Sequence, residues 1–161
     1  MFGCRAFAGQ ELAAAGSGRL AVQRLDRFRG ARLDQLHGFF NIVNTPGGSL
    51  GGDREDFEGS LQLDMKGTGT LSSYSRVMNV PVGGASSLQI DNAPRGSGSP
   101  QSFASDLFRL FGQIPIGDPD FDLLRIVAGT DFGMPSPGHT TLTKQGGGTW
   151  QVDSFFDIEY R

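Results

Sequence analysis

The sequence predicts an all-β protein, a sandwich or barrel of antiparallel strands with a short N-terminal helical or disordered segment. Three observations lead to this fold class. Glycine accounts for 25 of the 161 residues, well above its usual share of about 7 %, and glycine weakens helices but suits turns and bulges. Apolar and polar residues alternate in several segments, as they do in half-buried strands. Loops rich in glycine and proline separate those segments.

The first 38 residues differ in composition from the rest, and we predict a boundary after them. They contain six arginines, three acidic residues and no proline. Between residues 19 and 36, five apolar residues fall in one sector of a helical wheel, which favours an amphipathic helix. They are Val22, Leu25, Phe28, Leu33 and Leu36. We therefore interpret residues 1–38 as a basic helix or flexible leader and residues 39–161 as a glycine-rich β domain.

Three strands are predicted in the first half of the β domain, after a loop at residues 44–56. Strict alternation of apolar and polar residues over 61–66 defines the first strand. The Gly-Thr-Gly-Thr sequence that follows, at residues 67–70, indicates a bulge or a close approach of the backbone. The same alternation predicts a second strand at residues 78–82 and a short third strand at residues 88–90.

The middle of the β domain is less regular. Residues 92–102 have the composition of a loop. Residues 103–116 fit a strand and a helix equally well by periodicity, but Gly112 and Pro115 favour a strand. The apolar run at residues 123–128 is typical of a buried strand.

A hairpin closes the sequence. Residues 140–144 and 150–160 alternate between apolar and polar and flank Gln-Gly-Gly-Gly, which predicts two antiparallel strands joined by a tight loop. Trp150 heads the second strand and is predicted to lie in the core. The strand runs to Arg161 without a turn, so it either pairs with another chain or belongs to a chain that is cut short.

Charge and cysteine content exclude several classes of protein. The formal net charge is −3, and residues 39–161 carry eight basic against fourteen acidic side chains, which argues against a nucleic-acid surface. Cys4 is the only cysteine, so neither an intrachain disulfide nor a thiolate metal site is expected. No apolar run approaches the roughly 20 residues of a transmembrane helix, and the apolar stretch at 12–15 is too short for a signal peptide.

Asp118, Asp120 and Asp122 form the sharpest cluster of functional groups. Alternate carboxylates in a loop can converge on Ca²⁺, which prefers oxygen ligands. The spacing departs from the EF-hand, because Leu123 stands where the turn glycine belongs. The alternative is an Asp-rich turn whose carboxylates accept backbone N–H groups. We therefore predict no obligatory cofactor, with Ca²⁺ possible at these three residues.

No catalytic residues are predicted. Asp131, Ser136 and His139 are neighbours in sequence, but a triad depends on geometry rather than on proximity along the chain. The sequence contains neither a Gly-x-Ser-x-Gly elbow nor the glycine pattern of a nucleotide-binding turn. The expectation is a protein that is not an enzyme.

Two aromatic residues are candidates for ligand binding. Phe121 lies within the acidic cluster, and Phe155 interrupts the polar face of the last strand. Exposed aromatic rings can stack on sugar rings or anchor a protein partner. The alternative is that both residues are buried, since strands covered on both faces are apolar on both.

Four segments resemble a group of exported, β-rich proteins of environmental bacteria with no known activity. They are Gly-Ser-Pro-Gln-Ser-Phe, Gly-Asp-Pro-Asp-Phe-Asp, Gly-Met-Pro-Ser-Pro-Gly-His-Thr-Thr-Leu-Thr and Val-Asp-Ser-Phe-Phe-Asp-Ile, and they run from residue 98 to residue 158. The resemblance implies an exported or cell-surface, non-catalytic protein. We therefore predict a structural or surface-interaction protein, a subunit of a larger assembly that binds itself or a protein partner. A Ca²⁺-dependent carbohydrate- or surface-binding module is the alternative.

Overall fold

The computed structural model describes residues 4–5, 32–84 and 88–158, with side chains described from residue 39 onward within these ranges. In this part of the chain the protein is all-β, and no helix reaches seven residues. A single nine-stranded sheet, antiparallel apart from one short pairing, curls into a half-barrel. The predicted fold class is confirmed in its barrel-like form.

Nine strands build the sheet. They are β1 Cys4–Arg5, β2 Arg32–Pro46, β3 Asp53–Lys66, β4 Ser75–Val82, β5 Leu88–Asn92, β6 Gln101–Gln113, β7 Arg125–Ala128, β8 Pro137–Lys144 and β9 Trp150–Asp157. Their spatial order is β1-β9-β8-β6-β5-β3-β2, with β4 paired to β3 and β7 paired to β6. The short β1 is parallel to β9, and all other pairs are antiparallel.

Strand β2 differs from the sequence-based expectations. Residues 32–36 were expected to end a helix, but they belong to β2, so that part of the prediction is wrong; the earlier part of the predicted helix lies outside the described residues. β2 also crosses the boundary predicted after residue 38. Because β2 pairs with β3 from Arg32 opposite Asp64 to Pro46 opposite Asp53, ladder hydrogen bonds override a helical periodicity that rested on few residues.

The loop predicted at residues 44–56 is shorter than expected. Only residues 47–52 connect β2 to β3. The charged run at the start of β3 suggested a loop, yet its side chains have partners across the sheet: Arg54 pairs with Asp91, and Glu55 pairs with Arg95. Cross-strand ion pairs therefore let charged residues occupy a strand.

The core fills one end of the concave face of the half-barrel. The predicted alternation over residues 61–66 is confirmed, because Leu61, Leu63 and Met65 are all buried. The other large contributors are Val80, Val82, Leu88, Leu107, Leu110, Phe121, Leu124 and Ile126. Of the ambiguous segment at residues 103–116, residues 103–113 belong to strand β6, as Gly112 and Pro115 favoured, and residues 114–116 lie beyond its end.

The predicted close approach at Gly67 is also present. The Gly67 amide donates to the carbonyl oxygen of Tyr74 at 2.8 Å, and a Cβ on Gly67 would collide with the backbone carbonyl of Leu71. The chain can therefore fold back directly after β3 only because residue 67 has no side chain.

Candidate functional site

A groove occupies the end of the concave face that the core leaves open. It encloses about 410 Å³ between β3, β5, β6, β8 and β9. Each of these strands continues past the core, and its inward-facing residues line the groove instead. The register places the groove residues of β6, β8 and β9 on one face, because alternate residues of a strand point the same way.

The apolar wall of the groove comes from the C-terminal hairpin and from β6. Trp150 and Val152 on β9 and Leu142 on β8 contribute to it, together with Phe103 on β6. Trp150 is 43 % exposed, so the prediction that it lies in the core is wrong. Trp150 and Phe156 share the inward face of β9, but the core reaches only the Phe156 end of that strand.

A row of four polar side chains crosses the concave face between the core and the groove. Ser105 donates to Asn92 Oδ1 at 2.7 Å, and Ser105 and Thr140 are 2.8 Å apart. Thr140 and Ser154 follow at 2.9 Å. A hydroxyl has one proton to donate. Because Ser105 donates to Asn92, Thr140 donates to Ser105 and Ser154 donates to Thr140. All four residues are buried, which the chain of hydrogen bonds makes tolerable.

A charged cluster forms the opposite wall. Arg95 pairs with Asp53 at 2.7 Å and with Glu55, and its guanidinium lies 5.3 Å from the centroid of the Phe103 ring. Two carboxylates against one guanidinium give the cluster a net charge of −1. The groove therefore combines an aromatic wall, a row of hydroxyls and a mildly acidic rim.

The acidic cluster predicted as a calcium site converges on a cation, and that cation is Arg76. Its guanidinium contacts Asp118 at 2.6 and 2.7 Å and Asp120 at 2.7 Å. Asp118 Oδ1 also accepts the amides of Asp120 and Phe121. The hydrogen bonds from Arg76, together with these amides, lower the pKa of Asp118 to about 2. The Asp-rich turn, the alternative to a metal site, is thus what this geometry shows.

The calcium hypothesis itself stays a prediction. Asp122 is exposed at the end of the same turn. Among the residues that the structure describes, no group of three or more side chains is arranged to hold a metal ion. An ion at Asp118 and Asp120 would have to displace Arg76, whose own pKa these carboxylates raise.

The two aromatic residues predicted to bind a ligand differ in their exposure. Phe121 is buried in the core and packs edge-on against Tyr74, with ring centroids 6.0 Å apart; the prediction that it is exposed for binding is wrong. The Asp118 turn causes this, because it directs the chain inward at residue 121. Phe155 is 57 % exposed and lies 6.3 Å from the His139 ring, so its exposure is confirmed and its role in binding stays a prediction.

The three residues considered for a catalytic triad do not meet. Ser136 is buried and donates to the carbonyl of Met134, and Asp131 pairs with Arg109. His139 Nε2 instead lies 2.6 Å from Ser102 Oγ, a serine–histidine contact between two strands that no sequence pattern indicates. Both residues lie on the face of β6 and β8 opposite the groove.

Asp91 and Arg54 form a buried ion pair on the convex face. Arg54 donates to both carboxylate oxygens, at 2.6 and 2.9 Å, and the Ser49 amide donates at 2.7 Å. Burial raises the pKa of Asp91, but the hydrogen bonds from Arg54 and Ser49 outweigh it and leave the pKa below its ordinary value. Through the Ser49 amide, this pair binds the loop between β2 and β3 to the sheet, and it does not face the groove.

Comparison of this chain with protein-family models, with curated proteins and with solved structures gives no match. In the described part of the chain, no helix has the length and apolar character needed to cross a membrane.

Proposed function

We propose that this protein is a non-enzymatic structural or surface-interaction protein, a subunit of a larger assembly that associates with itself through strand β2. The observation that carries the proposal is the exposure of apolar residues along β2. Ile42 is 60 % exposed, Val43 54 % and Phe40 51 %. Scattered exposed apolar residues are ordinary, but three such residues within four positions of one strand favour an interaction surface.

The position of β2 in the sheet supports the same conclusion. β2 is the last strand in the spatial order and pairs with β3 on one side; no strand of the described residues forms a ladder with its other side. An edge strand presents free N–H and C=O groups that can pair with another chain. Apolar side chains along such an edge add burial to those hydrogen bonds.

The shape of β2 limits how a partner can bind. Asn41 has a φ of 53°, and the pairing with β3 shifts register between Phe40 and Val43. Asn41 also donates to Glu58 Oε1 at 3.2 Å. A bulge interrupts strand pairing, so a second copy can form a ladder only with the straight stretches on either side. Burial of the apolar side chains next to the bulge then contributes most of the affinity.

The serine–histidine contact gives weak support to a catalytic alternative. Ser102 is exposed on an open face, and its oxygen is also 3.1 Å from Thr141 Oγ1. A nucleophile needs a base that a third group orients and a site that shields the reaction from water.

The resemblance of residues 98–158 to exported proteins adds an exported or cell-surface location to the proposal.

Light scattering coupled to size-exclusion chromatography tests self-association. We expect the native chain to have a mass above the 17.2 kDa of one copy, rising with protein concentration. Ile42→Lys should shift it to the single-copy mass, because a lysine in the edge opposes pairing. Val77→Lys on β4 is the matched control, since Val77 is also 60 % exposed, and it should leave the mass unchanged. A native chain of single-copy mass at every concentration, or equal behaviour of the two variants, overturns the proposal.

A further inference from the structure

We propose that the groove at the open end of the concave face binds a neutral carbohydrate, with a sugar ring stacked on Trp150. This inference does not rest on self-association through β2, because none of the described β2 residues lines the groove. Its volume of about 410 Å³ falls within the roughly 300–1,000 Å³ of small-molecule sites. Such sites combine apolar walls with a few fixed polar groups, which is the composition found here.

The apolar wall suits a ring with an apolar face. Trp150 offers a partly exposed indole, flanked on β9 by Val152 and on β8 by Leu142. A sugar ring presents C–H groups on its faces and hydroxyls around its edge, so one face can cover the indole while the edge reaches polar groups. Stacking against an aromatic ring adds to the burial of apolar area.

The polar groups that line the groove include both acceptors and donors: Asn92 and Gln101 carry side-chain amides, which can donate as well as accept. The hydroxyl proton of Ser154 is committed to Thr140, as the direction of the hydrogen-bonded row requires, so Ser154 presents lone pairs. The carboxylate of Glu55 is an acceptor as well. A ligand that fits must therefore both donate and accept, as sugar hydroxyls do.

The charges of the groove select against other ligands. Among the described residues that line the groove, Arg95 is the only cation, and Asp53 and Glu55 already hold it. An anionic ligand would lie beside a cluster of net charge −1, and an aliphatic chain would leave the polar groups of the lining without ligand hydrogen bonds. A neutral polyhydroxylated ligand satisfies both walls.

The fluorescence of Trp150 provides a direct test, because the chain contains a single tryptophan. Titration with neutral disaccharides (cellobiose, maltose, lactose, xylobiose and N,N′-diacetylchitobiose) should produce a saturable change in emission for at least one of them. Digalacturonic acid and laurate, titrated in parallel, should produce none. Saturation by laurate or by the acidic disaccharide alone, or no saturable change with any neutral sugar, overturns the proposal.

Variants measured by isothermal titration calorimetry separate stacking from non-specific binding. Trp150→Ala should weaken the neutral sugar by about tenfold or more, as expected for loss of an aromatic stack. Phe155→Ala is the matched control, since Phe155 is an exposed aromatic on the opposite face of the same strand, and it should bind as the native chain does. Glu55→Gln, a second variant that preserves shape, should also bind more weakly. If Trp150→Ala and Glu55→Gln both retain native affinity, the groove is not the site.

Discussion

The buried ion pair between Arg54 and Asp91 leads to a prediction with a defined size. Asp91 is 0 % exposed and Arg54 is 26 % exposed at its side chain. Replacing Arg54 by Met keeps most of the apolar stem but leaves the carboxylate with only Ser49, through its amide and its side chain, as a described partner. Removing one partner of a buried pair typically costs about 3–5 kcal/mol. We expect Arg54→Met to be among the most destabilising single substitutions outside the core.

Protonation of Asp91 sets a ceiling on that cost. A carboxyl with an ordinary pKa of 3.8 takes up a proton at pH 7 for about 1.36 × (7 − 3.8), or ~4.4 kcal/mol. The same calculation at pH 5 gives ~1.6 kcal/mol. In the variant, Asp91 becomes protonated whenever protonation costs less free energy than burying an unpaired carboxylate. Its charge penalty is therefore at most about 4.4 kcal/mol at pH 7 and about 1.6 kcal/mol at pH 5.

The sign of the pH dependence follows from the pKa of Asp91 in each protein. In the native protein the pKa is lowered, so the pair stabilises the fold above pH 4 and loses that effect in acid. In the variant, burial without Arg54 raises the pKa of Asp91, so stability falls as the pH rises. The difference in free energy of unfolding between the two proteins should thus grow from pH 5 to pH 7.

Urea denaturation at both pH values measures this difference. Arg109→Met is the matched control: Arg109 also pairs with a carboxylate, Asp131, at 2.6 Å, but the two side chains are 36 % and 28 % exposed. Exposed pairs contribute about 0–1 kcal/mol. The double variant Arg54→Met/Asp91→Leu should recover much of the loss. The reasoning fails if Arg54→Met costs no more than Arg109→Met at pH 7, or if its cost does not change with pH.

Two further predictions concern other parts of the sheet. Because Arg76 lowers the pKa of Asp118 to about 2, the contact should stabilise the fold above pH 5 by about 1–2 kcal/mol after solvent screening and lose this effect as the pH falls toward 2. Acid titration of the native and Arg76→Met proteins, followed by circular dichroism, should show a smaller loss of stability in the variant. Parallel titration curves for the two proteins would contradict this prediction. Gly138→Ala should lower the melting temperature strongly, because a Cβ at residue 138 would collide with the Phe156 ring and the Phe155 carbonyl. Gly146→Ala is the control and should change the melting temperature little, because a Cβ at residue 146 would have no atom within 4 Å. Similar melting temperatures for the two variants would refute the clash.

The sequence predicted local features well and long-range contacts poorly. The hairpin of β8 and β9, the strands of the core and the turn at residues 118–122 follow from alternation and turn chemistry, which depend on neighbours in sequence. Arg76 lies 42 residues before Asp118, and no pattern links them. A signal was present in hindsight, since a carboxylate-rich turn in a folded protein needs a cation, and arginine serves as well as a metal ion.

The glycine-rich β character of this protein was determined by the sequence alone, because period-2 alternation and glycine-bounded turns have few other solutions. Only the tertiary structure decided where the core ends along each strand. Trp150 and Phe156 share a face of β9, and the same alternation describes both, yet one is in the open groove and the other is buried. The curl of the sheet and the length of its neighbouring strands, not the residue pattern, set that division.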